Sequence, residues 1–100
     1  MSTLSHDDEA MAELYRRDPG LALEHLNALL ESGDQARLLT VLRHLTRAFG
    51  GMQAVAQQAQ LNTTQLYRTL SPKGNPALSS LLAILRAMGL RLALKSPPDA

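Results

Sequence analysis

The sequence predicts an all-α domain of five or six helices, followed by one short C-terminal β-strand. Three observations lead to this prediction. Leu and Ala dominate the 100 residues, which favours helices. Apolar residues recur at helical spacing through most of the chain. Residues 50–70 show two short apolar-faced segments around a tight turn, as in a helix-turn-helix. The length suits a single domain, residues 1–100, and we see no linker that would divide it.

Two helices are expected in residues 1–34, separated at Asp18-Pro19. Ser5 is a suitable cap for the first helix and Asp18 for the second. Pro19 fits the first turn of the second helix. Gly33 ends the second helix, which begins near residue 20. The apolar stripes of these two helices are Met11, Leu14 and Tyr15, then Leu23, Leu26 and Leu30.

The strongest helical pattern covers residues 35–48, after the capping residue Asp34. A last helix is expected at about residues 78–88, and then LRLALK alternates between apolar and other residues, as a short strand does. A lone strand needs a partner, and a second copy of the chain in a two-fold dimer is the natural one. The predicted core and interface residues are Leu38, Leu42, Leu45 and Phe49, then Leu78, Leu81, Leu82 and Leu85, and for the dimer Leu90, Leu92 and Leu94.

Between these helices, residues 50–70 form the helix-turn-helix pattern. Leu61 fits the turn, and Asn62 with Gln65 three residues later resembles a capping box. Gln60 occupies the turn position where glycine is often found, because the backbone there has a positive φ; a non-glycine residue pays about 1 kcal/mol for that geometry. An αα-hairpin in any small bundle can show the same pattern, so the neighbouring segments must decide. The inward-facing residues are Val55, Ala56, Ala59, Leu66 and Leu70.

Charge is divided sharply along the chain. Residues 1–34 contain eight acidic residues and two arginines, a net charge of −6, whereas residues 35–98 contain eight basic residues and no Asp or Glu. The acidic N-terminal helices and the basic core with its strand, residues 35–95, therefore suit different partners. A segment without carboxylates favours a polyanion such as DNA.

Several functions are not expected. The absence of cysteine excludes disulfides, thiolate zinc sites and cysteine nucleophiles. The three histidines share no metal-ligand spacing, and no nucleophile, base and orienting group converge, so we expect no metal, no cofactor and no enzyme activity. No apolar run is long enough for a membrane span and the first residues do not resemble a signal peptide, so we expect a cytoplasmic protein.

Three segments together resemble the small addiction-module antidote proteins, which are antitoxin-type, phage-repressor-like helix-turn-helix regulators. They are DPGLALEHLNALLESGD, LLTVLRHLTRAFGGMQAVAQQAQLNTTQLYRTLS and GNPALSSLLAILRAMGLRL, and the similarity covers roughly residues 18–92. The resemblance implies an autorepressor that binds operator DNA, and a type II toxin–antitoxin module in which a small basic toxin is neutralised. The alternative is a protein-interaction module that neutralises a basic toxin with little or no DNA binding.

In a helix-turn-helix the exposed side of the second helix reaches base edges. Thr63, Thr64 and Arg68 are therefore the predicted base-reading residues, the alternative being ordinary solvated helix residues. Gln65 either contacts DNA or only caps the helix. Tyr67 either contacts phosphate or packs at the helix edge. The predicted phosphate contacts are Gly51, Met52, Gln53, Tyr67, Lys73 and Asn75. Arg43 and Arg47 either contact the DNA backbone or only solvate the surface.

Overall fold

The computed structural model describes residues 6–98, so the predicted cap Ser5 lies outside the described residues. Within this range the chain folds into six helices, which confirms the all-α prediction. Their bounds are α1 His6–Arg17, α2 Pro19–Ser32, α3 Gln35–Ala48, α4 Met52–Ala59, α5 Thr63–Thr69 and α6 Leu78–Ala87. None of these helices is long and apolar enough to cross a membrane.

The predicted caps of α2 and α3 are present in the structure. The side chain of Asp18 accepts a hydrogen bond from the Leu21 N–H at 3.2 Å, and that of Asp34 accepts one from the Arg37 N–H at 3.1 Å. Each carboxylate satisfies a backbone donor that the first helical turn leaves without a partner. Gly33 ends α2 in the left-handed conformation, at φ 76°. Short-range side-chain chemistry therefore fixes where α2 and α3 begin.

Helix α3 is the centre of the packing. It contacts α1, α2 and α4, while α4 in turn packs against α5 and α6. The large side chains that are almost completely buried come from four of the six helices and the residue after α5: Tyr15, Leu39, Leu42, Leu45, Thr46, Leu66, Leu70 and Ile84. One continuous apolar cluster therefore joins the N-terminal helices to the α4–α5 pair.

Several apolar residues predicted to be buried are exposed. Leu23 and Leu30 are 42% and 47% exposed, Phe49 is 43% exposed, and Leu78 is 64% exposed. In α2 and α6 the buried positions include Ala22 and Ile84 instead. Both helices carry leucine on more than one face, so apolar spacing alone could not identify the face that packs against α3 and α4.

The C-terminal strand is not confirmed. Gly89 adopts φ 76°, and the Leu90 N–H donates to the Leu85 carbonyl at 2.8 Å, which closes α6 in a Schellman motif. Beyond it, residues 90–97 have no regular structure, and no strand occurs in the described part of the chain. Leu90 packs against the core, whereas Leu92 is 41% exposed and Leu94 is fully exposed. A strand is defined by its hydrogen-bonded neighbour, and this single chain offers residues 90–95 no such neighbour within residues 6–98.

Candidate nucleic-acid interface

Helices α4 and α5 are joined by a tight turn whose backbone geometry is well defined. Gln60 adopts φ 60° and ψ 38°, the left-handed conformation predicted for this position. The Leu61 N–H donates to the Ala56 carbonyl at 2.9 Å, and the Gln60 N–H donates to the Gln57 carbonyl at 3.2 Å. These are the two bonds of a Schellman motif, here with glutamine in the place of glycine. The motif ends α4 and sets the direction in which the chain enters α5.

Helix α5 starts at a side-chain cap and is held by one buried side chain. The Asn62 side chain accepts a hydrogen bond from the Gln65 N–H at 2.6 Å. Leu66 is fully buried, and Leu70 just after the helix is fully buried too. The predicted inward positions Val55, Ala56 and Ala59 of α4 are also buried. The apolar face of the two-helix unit is therefore directed into the core.

The opposite face of α5 is open to solvent. Thr64, Gln65 and Arg68 are exposed, Tyr67 is 49% exposed, and Thr63 is half-buried. No ion pair involves Arg68 in the part of the chain that the structure describes. The three predicted base-reading residues thus share one short helix, with Thr64 and Arg68 one helical turn apart.

The start of α4 differs in one respect from the prediction. Gly51 has a φ of 98°, and its N–H donates to the Thr46 carbonyl at 3.0 Å. That N–H is consequently not a free donor for phosphate, because it closes the turn after α3. The Met52 side chain is buried and the Gln53 side chain is exposed, so the backbone N–H groups of these two residues are the remaining candidates at this terminus.

The loop after α5 is fastened to α3. The Gln35 side chain donates to the Gly74 carbonyl at 3.0 Å, and the Arg43 guanidinium donates to the Leu70 carbonyl at 3.3 Å. Gly74 has no room for a side chain, since a Cβ there would lie 2.3 Å from the Thr69 carbonyl oxygen. Lys73 and Asn75, the predicted phosphate contacts of this loop, are exposed. Arg43 therefore holds the end of α5 in place, a role that the sequence did not indicate.

Helix α1 is attached to α3 by charged groups as well as by apolar packing. The Asp8 carboxylate lies 2.5 Å from Nε2 of His44, which is 7% exposed, and the Glu9 carboxylate lies 3.6 Å from the Arg47 guanidinium. Farther along α1, Glu13 pairs with Arg16 and Arg17. Glu9 and Glu13 thus pair with arginines of the same molecule, and Asp8 contacts the buried His44.

A second cluster joins α1 to α2. The Tyr15 hydroxyl and Nδ1 of His25 are 2.6 Å apart, and burial raises the pKa of Tyr15 above its usual value of 10.0. With His44 these side chains border an open, mostly apolar hollow of about 400 Å³. No group of three or more His, Cys, Asp or Glu side chains suited to a metal ion occurs among residues 6–98.

Comparisons with known proteins agree with the resemblance noted in the sequence. An uncharacterized protein of Haemophilus influenzae is 27% identical over 71 residues, which cover 71% of this chain and 72% of that protein. No solved structure matches the chain significantly. The family model described as "Probable addiction module antidote protein" matches residues 7–96. The match takes in all of the helices α2 to α6 and nearly all of α1, so the chain belongs to the family of probable addiction module antidote proteins.

Proposed function

We propose that the protein is a sequence-specific DNA-binding regulator, the antitoxin of a type II toxin–antitoxin module that represses its own operon, and that α5 enters the major groove of its operator. The observation that carries the proposal is the α4–turn–α5 unit: the left-handed Gln60 and the buried Leu66 support a fixed angle between the helices, and Thr64 and Arg68 are left exposed. Family membership supports the antitoxin role.

Electrostatics favour the same partner. Every Asp and Glu of residues 1–98 lies before α3. The side chains from Gln35 to residue 98 therefore present no carboxylate to a phosphate. In this proposal Arg68 reads a base, since a guanidinium is suited to the two acceptors of guanine, and Thr63 and Thr64 contact bases through a hydroxyl or methyl group. Lys73, Asn75, Tyr67 and the N–H groups of Met52 and Gln53 contact the DNA backbone.

The test separates base contacts from phosphate contacts. Arg68→Ala should cost about 1–3 kcal/mol on DNA from upstream of the gene and much less on random DNA. Thr64→Ala should act in the same way but more weakly. Lys73→Ala should weaken both complexes equally and reduce the dependence of log Kd on log salt by about one unit. Binding is measured by fluorescence anisotropy at several salt concentrations.

Alanine is a good helix former, so the Arg68 and Thr64 variants should remain folded, which circular dichroism checks. Equal losses on both DNAs for Arg68→Ala would assign this residue to the phosphate contacts. Unchanged binding for both Arg68→Ala and Thr64→Ala would show that α5 does not enter the groove.

The second candidate function is capture of a small basic toxin with little or no DNA binding. Exposed acidic residues on α2 favour it: Glu24 and Glu31 lie seven residues apart, on one side of the helix, and no ion pair involves them in the described residues. Removing α1 is not a clean test, because Tyr15 and Ala12 are part of the buried interior.

Charge-removing substitutions are therefore preferable to a truncation. The Glu24→Gln, Glu31→Gln double variant should weaken binding to a basic toxin encoded beside the gene and leave DNA affinity unchanged or raised. The measurements are calorimetry with the toxin and anisotropy with DNA. Toxin binding by a wild-type protein that shows no specific DNA binding would favour this second function over the first.

Dimerisation through residues 90–95 completes the proposal. Leu92 and Leu94 are exposed and alternate with polar or small residues, as expected for a segment that becomes a strand only when a second copy pairs with it. Two copies of α5 would then address half-sites about 34 Å apart, one turn of DNA. Leu92→Pro removes a ladder donor, so it should shift the protein toward monomer in sedimentation at micromolar concentration. A variant that stays dimeric would place the interface elsewhere.

A further inference from the structure

A cavity of about 390 Å³ lies where the end of α1, the end of α3 and the start of α4 meet. Four of the residues that line it are alanine or glycine, and the other three are charged. Those groups are the guanidinium groups of Arg16 and Arg47 and the carboxylate of Glu9. Gly50 and Gly51, which lead into α4, form another part of its wall.

Both arginines are positioned by contacts that leave donors available. The Arg16 guanidinium donates to the carbonyl of Arg47 at 3.5 Å, which holds it over the C-terminal end of α3. The Arg47 side chain is only 17% exposed, and its Nε is buried with no hydrogen-bond partner among the residues that the structure describes. Its ion pair with Glu9 is long at 3.6 Å. A guanidinium has five N–H donors, so the two arginines carry more donors than Glu13, Glu9 and the Arg47 carbonyl, their partners among residues 6–98, occupy.

We propose that this cavity binds a backbone phosphate of the DNA that α5 reads, and that Arg16 and Arg47 hold the phosphate oxygens. The inference rests on the proposed function and extends the DNA contacts to α1. Guanidinium groups pair with phosphate through parallel, charge-assisted hydrogen bonds. Glu9 holds Arg47 in the free protein, and the phosphate takes over that pairing when DNA binds.

The chain offers a closely matched control for Arg16. Arg17 is its neighbour on α1, pairs with the same Glu13 carboxylate, and is also exposed, 77% against 51% for Arg16. Only Arg16 lines the cavity. The substitutions Arg16→Gln and Arg17→Gln therefore change net charge equally and each removes one cationic partner of Glu13, but only the first removes a group from the cavity.

Affinity for operator and random DNA is measured for both variants over a range of salt concentrations. Arg16→Gln should weaken both complexes several-fold, with the same ratio between them, and lower the salt slope by about one unit. Arg17→Gln should have a clearly smaller effect on both quantities. Equal effects of the two variants, in a protein whose wild type binds DNA, would overturn this proposal and leave the proposed function intact. A wild type that binds no DNA would overturn both.

Glu9 provides a test in the opposite direction. Glu9→Gln removes the carboxylate that competes with phosphate, so DNA affinity should rise, and by more than it does in Glu24→Gln, which removes an equal charge from α2. Equal gains would mean that only net charge matters and would contradict a local site. All variants are compared after thermal unfolding has shown them to be folded at the temperature of the assay.

Discussion

Leu66 offers the most direct test of how α5 is attached to the protein. It is the only buried residue within Thr63–Thr69, and it is fully buried. Leu66→Ala should lower the free energy of unfolding by about 2–5 kcal/mol, the range for a leucine removed from a closed core. For a domain of this size each kcal/mol shifts Tm by about 4–8 °C, so the expected decrease in Tm is roughly 8–40 °C.

The assay is urea unfolding followed by circular dichroism, with Leu66→Met as the control. Methionine nearly conserves the volume, so that variant should lose less than about 1.5 kcal/mol. At temperatures where it is still folded, Leu66→Ala should also bind cognate DNA more weakly than the wild type, because α5 is no longer held at a fixed angle. Leu66→Met should retain most of the wild-type affinity. A destabilisation of less than about 1 kcal/mol for Leu66→Ala would refute the reasoning, since a fully enclosed leucine cannot be removed so cheaply.

Two further substitutions test the interior and the turn. Burial raises the pKa of Tyr15, so its contribution to stability is complete below pH 10 and is lost as pH rises through the higher folded-state pKa. The free energy of unfolding, measured with urea between pH 8 and 11, should fall less steeply with pH for Tyr15→Phe than for the wild type. An equal decrease with pH in both proteins would contradict this prediction. Gln60→Gly should stabilise the protein by up to about 1 kcal/mol, because glycine adopts φ 60° without strain, whereas Gln60→Val should destabilise it. Thermal unfolding checks both, and a tolerated valine would argue against the left-handed turn.

The features that the sequence predicted best depend on residues close together in the chain. Asp18, Asp34 and Asn62 each cap a helix through a backbone N–H three residues later. Gln60 follows the same logic, because the helix-turn-helix pattern itself requires a left-handed residue at that point. Such local hydrogen bonds depend on residue types at a fixed spacing along the chain, which the sequence shows directly.

The features that it missed depend on contacts between distant segments. Asp8 meets His44 across 36 positions, and Arg43 reaches the Leu70 carbonyl across 27. No periodicity marks such pairs, since the partners lie far apart in the sequence and one of them, the Leu70 carbonyl, is a backbone group. The exposed faces of α2 and α6 were missed for another reason: leucine occurs on several sides of both helices, and only the neighbouring helices decide which side is buried. The roles of Thr63, Thr64 and Arg68 on DNA stay predictions.

The distribution of charge along the chain also differs from its distribution in space, which affects where a basic partner would bind. Glu9 and Glu13 of α1 pair with arginines of this protein, and Asp8 contacts His44, so α1 offers less free negative charge than its sequence suggests. Glu24 and Glu31 of α2 have no such neighbour in the described residues, and the exposed Leu23 and Leu30 lie next to them at the same seven-residue spacing. A helix side that combines carboxylates with exposed leucines suits a partner that is both basic and apolar. We therefore expect a basic toxin to contact α2, which would leave the Arg16 side of α1 uncovered for the proposed contact with DNA.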